Sequence, residues 1–241
     1  MAGLDRFVEI LRLFDERKTD WTILEIAEAV AVPASTIYRT VRELVGQGFL
    51  DPSIEAHYRL GVAFIEFDRR LRLSDPLIRE GEPIVRDVMA IAQFPCIVVL
   101  ARLYRDQVIC VADGRANGSA IETSYERGRP MPLLRGATSK VILAQLSRTR
   151  LGMVLKSEGE ALVAASTDLT DIRKRGYAIT RGEVDKGLVG IAAPVFCRAA
   201  AINASMSIIA RAEDLDETVE RRLLMTLLPA AAILSTKLLP T

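Results

Sequence analysis

Histidine is nearly absent from this chain: His57 is the only one in 241 residues. A His-rich metal site therefore lacks its ligands. Cysteine is scarce and odd in number. Cys96, Cys110 and Cys197 form no Cys-x-x-Cys pair, which argues against a disulfide framework, a zinc ribbon or an iron–sulfur site and fits reduced thiols in a cytosol. Charge of either sign is not in excess. With 32 basic and 31 acidic side chains the formal net charge is +1, so the chain cannot coat nucleic acid by bulk charge. Long apolar runs are missing too. "GLVGIAAPVFC" stops at Arg198 and "LLMTLLPAAAILST" is interrupted by Pro229, and both fall short of the ~20 residues a helix needs to span a bilayer. The start, "MAGLDRFVEILRLFDERK", mixes charges into its apolar residues and lacks the apolar core of a signal peptide. The expectation is a cytoplasmic protein with no membrane association.

What is present is a chain that is 50% hydrophobic, long enough for one large domain or two small ones. Phe7, Ile10, Leu11 and Phe14 recur at helical spacing, predicting an amphipathic helix over about Asp5–Glu16. A second helix starts near Trp21-Thr22, where Thr22 and Glu25 have the spacing of a capping box. The turn "AVPAS" follows, and Pro33 suits the start of a third helix. That helix, about Ala34–Val45, turns Ile37, Val41 and Leu44 inward at i, i+4 and i+7. Ser35, Thr36, Tyr38, Arg39 and Arg42 are left facing outward. "GFLDPSIEAHYRLG" then reads as two short strands around a turn at Asp51-Pro52-Ser53. Three helices and a β-ribbon make a winged helix-turn-helix.

The outward face suits a DNA groove. Arginine reads guanine O6 and N7, and small hydroxyl residues approach base edges and phosphates. Residues at the start of such a helix lie deepest in the major groove. No acidic residue falls between Glu28 and Glu43, and Arg59 in the wing can add a phosphate contact. Against this, residues 1–75 carry 10 basic and 13 acidic side chains. A lone domain with that balance binds DNA weakly, because affinity depends on phosphate neutralisation. A dimer on a palindromic operator doubles the contacts. An arginine-bearing helix face that is merely solvated is the alternative.

Residues 62–73, "VAFIEFDRRLRL", read as a helix with Arg69, Arg70 and Arg72 on a charged stripe. The "SDP" at 74–76 can end it and cap the next helix. A long helix over about Pro76–Ala92 leads into β-rich runs, "CIVVLARLY" and "QVICVADG", around a turn at Arg105-Asp106, with "SAIETSYERG" as a third strand. "GATSKVILAQL" is a helix and residues 148–176 read as two short ones. "GYAITRGE", "GLVGIAAPVF" and "AINASMSIIA" are strand-like, and a final helix over about Asp214–Leu238 should break near Pro229.

Within this part, "RGRPMPLLRGATSKVILA" joins a polar loop to a helix through Gly136, Ala137, Thr138 and Ser139. The first N–H groups of a helix have no internal partner and carry positive partial charge, so an anion is well served there. Arg135 lies beside the turn. Ordinary N-capping explains the same residues and, on these residues alone, is the commoner case.

Both halves resemble one family. "LEIAEAVAVPASTIYRTVRELVGQGFL" and "YRLG" are similar to the DNA-binding half of the IclR family of bacterial transcription regulators. "RPMPLLRGATSKVILAQL", "RKRGYAITRGEVDKGLVGIAAPVF" and "INASMSIIA" resemble its effector half. The resemblance covers essentially the whole chain in the family's order. It implies an α+β protein: a winged helix-turn-helix over residues 1–61, a linker helix over 62–75, and a GAF-like mixed α/β effector-binding and oligomerisation domain over 76–241. It also implies a homodimer, assembled as a dimer of dimers. Carried over by position, the effector site comprises Arg135, Gly136, Ala137, Thr138, Ser139, Leu188, Val189, Gly190, Ser205 and Ser207. Two departures from the family concern that site. Leu134 stands where many members have histidine, and Gly190 where some have cysteine, so effector identity does not carry over. A helix start, an arginine and several serines suit a carboxylate, and the family includes sensors of aromatic acids and small keto acids. The expected effector is such an organic acid, with no cofactor and no metal.

An enzyme is the competing class, but its parts are missing. His57 lies far in sequence from every cysteine, and Ser139 and Lys140 are helix neighbours that do not face each other. A third possibility is a protein-interaction module whose helix-turn-helix does not bind DNA.

Overall fold

The computed structural model describes residues 3–116, 118–155 and 161–239. The chain divides into two compact units, residues 1–74 and 75–241.

In the first unit, α1 (Gly3–Leu11), α2 (Ile23–Ala29) and α3 (Ala34–Gly46) enclose a small core of Ile10, Phe14, Ile26, Val30, Ile37, Val41, Leu44 and Leu50. The expected inward stripe of α3 is the buried one. Thr22 caps α2 as the capping box requires: its Oγ1 accepts from the Glu25 N–H at 3.3 Å, and the Glu25 carboxylate accepts from the Thr22 N–H at 2.8 Å. Helix α1 ends at Leu11, not near Glu16. Beyond it, Asp15 accepts from the N–H groups of Arg17 and Lys18, and this turn competes successfully with the helix.

Trp21-Thr22 is a strand residue pair as well as a helix start. β1 (Trp21–Thr22), β3 (His57–Leu60) and β2 (Leu50–Pro52) form a three-stranded antiparallel sheet in the order β1-β3-β2. The wing turn falls later than expected, at the 3-10 turn Ile54–Ala56. Pro52 instead closes the edge strand β2, where its missing N–H costs no ladder bond. Helix α4 (Ala63–Ser74) follows, and Phe67 stacks on Phe49 with ring centroids 5.7 Å apart.

The second unit is a helix–sheet–helix sandwich. β4 (Cys96–Tyr104), β5 (Gln107–Ala116), β6 (Pro130–Met131), β7 (Ala178–Arg181), β8 (Leu188–Cys197) and β9 (Ile202–Arg211) form an antiparallel sheet ordered β6-β5-β4-β9-β8-β7. α5 (Pro76–Ala92) and α9 (Glu217–Lys237) cover one face; α6 (Ala137–Gln145) covers the other, backed by α8 (Ala161–Arg175), with α7 (Arg148–Val154) following α6 in the chain. Asp75 caps α5, accepting from the N–H groups of Leu77 and Ile78.

Two expectations for this unit fail. Residues 119–128 form no strand; they are a loop pinned by side chains, described below. α9 runs unbroken through Pro229. Proline removes the bond to the carbonyl four residues earlier, but Met225 and Pro229 both lie on the exposed side, so water can satisfy that carbonyl. Leu223, Leu227, Ala230, Ala231 and Leu234 hold the opposite side in the core.

Candidate functional site

The first candidate is the outer face of α3. Its inner face is fixed by the burial of Ile37, Val41 and Leu44, which forces the remaining positions outward at 100° per residue. Ser35, Tyr38, Arg39 and Arg42 are exposed and Thr36 is half-buried. The Thr36 carbonyl accepts from the Thr40 hydroxyl at 3.1 Å, which turns Thr40 inward. The Arg42 guanidinium lies over the Tyr38 ring, 5.9 Å from its centroid, so the two side chains share one patch. Arg59 is exposed on β3, opposite Asp51 of β2 in the register.

The second candidate is the start of α6. Gly136, the N-cap, has φ +83° and ψ 149°, a region open to glycine. A Cβ there would lie 2.6 Å from the Tyr125 hydroxyl and 2.7 Å from Val184. Thr138, Ser205 and Ser207 are buried to 1%, 0% and 0% exposure, so their hydroxyls need partners. They find one another: Thr138 donates to Ser207 at 3.0 Å, and Ser205 donates to the Thr138 carbonyl at 3.1 Å. Ser139 donates to the Pro132 carbonyl at 2.6 Å, which fixes the loop before the helix.

Two N–H groups at the helix start already have partners. Gly136 donates to the Glu183 carboxylate at 2.9 Å and Ala137 to the Thr180 hydroxyl at 2.9 Å. Lys140 reaches Glu183 at 2.8 Å and Asp168 at 3.0 Å. Burial would lower its pKa, but these two carboxylates outweigh that and raise it. Asp185 pins the neighbouring loop, accepting from the Thr123 hydroxyl at 2.8 Å and from the Ser124 N–H and hydroxyl at 2.9 and 2.6 Å. Burial pushes the Asp185 carboxyl up; the bonds from Ser124 and Thr123 reverse this and hold it below the usual range. Burial pushes the Tyr125 phenol up to about 12, so it stays protonated at neutral pH.

The space left at this point is small. Tyr125, Thr180, Glu183, Val184, Leu188 and Ile209 enclose, with their neighbours, a cavity of about 10 Å³, room for roughly one water. Its lining is more polar than apolar.

Position by position, the structure brings Gly136, Ala137, Thr138, Ser139, Ser205 and Ser207 together. Gly190 belongs with them: a Cβ on it would meet Ala137, Ile209 and Thr180 at 3.6 Å. Leu188 lines the cavity. Val189 does not join them. It packs in the α5–α9 core, because alternate residues of a strand point to opposite faces. Arg135 is exposed and does not line the cavity. Tyr125, Thr180, Glu183 and Asp185 were missed from sequence. Their one signal was the acidic stretch after "GYAITR"; which carboxylate reaches the helix is a matter of long-range packing.

A winged helix-turn-helix with a basic outward face, on one chain with an α+β unit that builds a polar pocket at a helix start, defines a DNA-binding transcriptional regulator. Residues 3–52 match the family model for the IclR helix-turn-helix domain, and residues 74–236 match that for the bacterial transcriptional regulator IclR C-terminal domain. The chain belongs to the IclR family of bacterial transcriptional regulators. Among relatives, the transcriptional regulator XynR of Escherichia coli is 24% identical over 229 residues, covering 86% of this chain and 85% of that protein. KipR of Bacillus subtilis is 24% identical over 210 residues, covering 83% and 82%. Among solved structures, an IclR-type regulator from Alicyclobacillus acidocaldarius superposes with a TM-score of 0.84 at 22% identity, covering 98% of both chains. An IclR homologue from Microbacterium hydrocarbonoxydans, complexed with 4-hydroxybenzoate, has a TM-score of 0.79 at 22% identity, covering 98% of this chain and 99% of that one. No described helix is long and apolar enough to cross a membrane.

Proposed function

We propose that this regulator is a cytoplasmic, non-enzymatic switch. It reads a palindromic operator through Ser35, Thr36, Tyr38, Arg39, Arg42 and Arg59, and its operator affinity is set by a small organic acid bound at the start of α6. The observation that carries the effector half is the group of three buried hydroxyls, Thr138, Ser205 and Ser207, placed against the Gly136–Ala137 turn in an otherwise apolar core. Hydroxyls kept at such depth, beside a helix start that favours negative charge, match a carboxylate with a compact body. The 4-hydroxybenzoate held by the Microbacterium hydrocarbonoxydans homologue is an acid of this kind. Gly136, Ala137, Thr138, Ser139, Leu188, Gly190, Ser205 and Ser207 form the site; Val189, turned to the other face, and Arg135, outside the cavity, are left out.

Two copies put two recognition helices on successive turns of the groove, and a dimer of dimers doubles this again. Doubling answers the acidic balance of the first 75 residues, because each copy adds its own phosphate contacts. The acid acts by binding one arrangement of the subunits better than the other.

The test is calorimetric titration of the full-length protein with 4-hydroxybenzoate, pyruvate and their amides. Saturable binding of an acid and none of its amide supports the acid site; equal binding of acid and amide overturns it.

A further inference from the structure

We propose that Glu183 is a built-in competitor: a tethered carboxylate that fills the acid-binding position at the start of α6 and that an incoming acid must displace. The proposal rests on the carboxylate reading of this site and adds to it the group that sets the affinity.

Both oxygens of Glu183 are engaged. One accepts from the Gly136 N–H at 2.9 Å, the other from Lys140 at 2.8 Å. The N–H at the helix start and the nearest cation are the partners a free carboxylate would seek. Glu183 reaches them from 47 and 43 residues away in sequence, out of the Gly182–Gly187 turn between β7 and β8. Both glycines of that turn have positive φ, +64° and +81°. The carboxylate enters from the solvent side: the Glu183 side chain is 33% exposed. Displaced, it returns to water with little desolvation to overcome. Lys140 is not abandoned, because Asp168 stays on it at 3.0 Å.

The cavity agrees with occupation from within. About 10 Å³ cannot hold an aromatic acid, since pockets for small ligands run to roughly 300 Å³ and more. Glu183 and Val184 form one of its walls and Tyr125 another. Asp185 joins the two walls through Thr123 and Ser124. Withdrawal of the 182–187 turn therefore frees the Gly136 N–H and opens the space together. Acid and Glu183 exclude each other, so the apparent affinity is the intrinsic affinity multiplied by the fraction of chains with the turn withdrawn.

A purely structural role gives the opposite sign, which makes the proposal testable in the intact protein. Binding of 4-hydroxybenzoate and pyruvate is measured by calorimetry for the native chain, E183Q and E183A. Hydrogen exchange of peptides covering 131–142 is followed in parallel. Glutamine keeps the shape and loses the charge; alanine removes the competitor. The expected result is tighter acid binding in both variants, by about threefold to tenfold, with faster exchange at the start of α6. Unchanged or weaker binding in folded variants overturns the competitor while leaving the carboxylate site standing. No binding of any acid by the native chain or by either variant, with exchange showing each folded, overturns the carboxylate reading and the competitor with it.

Discussion

Asp75, the first residue beyond α4, accepts a hydrogen bond from Arg102 at 2.7 Å across 27 residues of sequence. The same carboxylate caps α5. Arg102 stands opposite Ala204 in the β4–β9 register, and its neighbour Ala101 stands opposite Ser205. Ser205, in the proposed effector site, is thus one strand away from the residue that holds the Asp75 cap of α5. The side chains of the pair are 32% and 13% exposed, so it is partly shielded from water. Arg102→Ala should destabilise the second unit by about 1–3 kcal/mol in urea titration. It should also shrink the factor by which an acid changes operator affinity, while acid binding itself persists. An unchanged factor would show that the pair only holds α5 in place.

The recognition face makes a separate prediction. Arg39→Ala or Arg42→Ala should weaken operator binding by about 1–3 kcal/mol if the guanidinium reads a base. A phosphate contact would instead lower the salt slope by about one and weaken all sequences alike. Fluorescence anisotropy at several salt concentrations separates the two. Native affinity in the double variant would mean that another face meets DNA.

The wing junction leaves no room. A Cβ on Gly61 would collide with the Gly48 carbonyl and lie 2.8 Å from its carbon. Backbone cannot yield as a flexible side chain can. Gly61→Ala should cost about 1–3 kcal/mol, read as a lower urea midpoint for the first unit. Native stability would show that the chain can reroute between β3 and α4.

The α2 cap ties stability to pH. Lys18 and the Thr22 N–H and hydroxyl lower the Glu25 pKa from 4.5 to about 2. A carboxyl depressed by folding stabilises fully above its unfolded pKa and stops doing so as pH falls through the folded one. The first unit should thus lose stability between pH 4.5 and pH 2. Thr22→Ala should remove about 1 kcal/mol at neutral pH and flatten the acid dependence. Trp21, the only tryptophan, lies in this cap with Lys18 over its ring at 3.8 Å. Its fluorescence during denaturation reports the unit directly. The same pH dependence in Thr22→Ala as in the native chain would leave the effect to Lys18 and the Thr22 N–H, which alanine keeps.

Features set by neighbours in sequence were legible. The stripe of Ile37, Val41 and Leu44, the Thr22–Glu25 box and a cap within "SDP" need only a few residues each; the first two stand as read, and of Ser74 and Asp75 it is Asp75 that caps α5. Features set by distant partners were not. Residues 119–128 have strand-like composition, but Asp185, 61 and 62 positions from Ser124 and Thr123, claims them as a loop. Pro229 is a local breaker that core packing overrules. That the Gly136 N–H donates to Glu183, 47 positions on, was not legible either. Val189 was carried over with its neighbours, although strand alternation alone turns it away from them.

The most direct test of the whole account is a fluorescence-anisotropy titration of the native protein against its own upstream intergenic DNA, with and without 4-hydroxybenzoate or pyruvate. The expected result is tight, salt-sensitive binding that one of the acids shifts in midpoint. No sequence-specific retention at any salt, with the protein folded and oligomeric and the acids present, would contradict it.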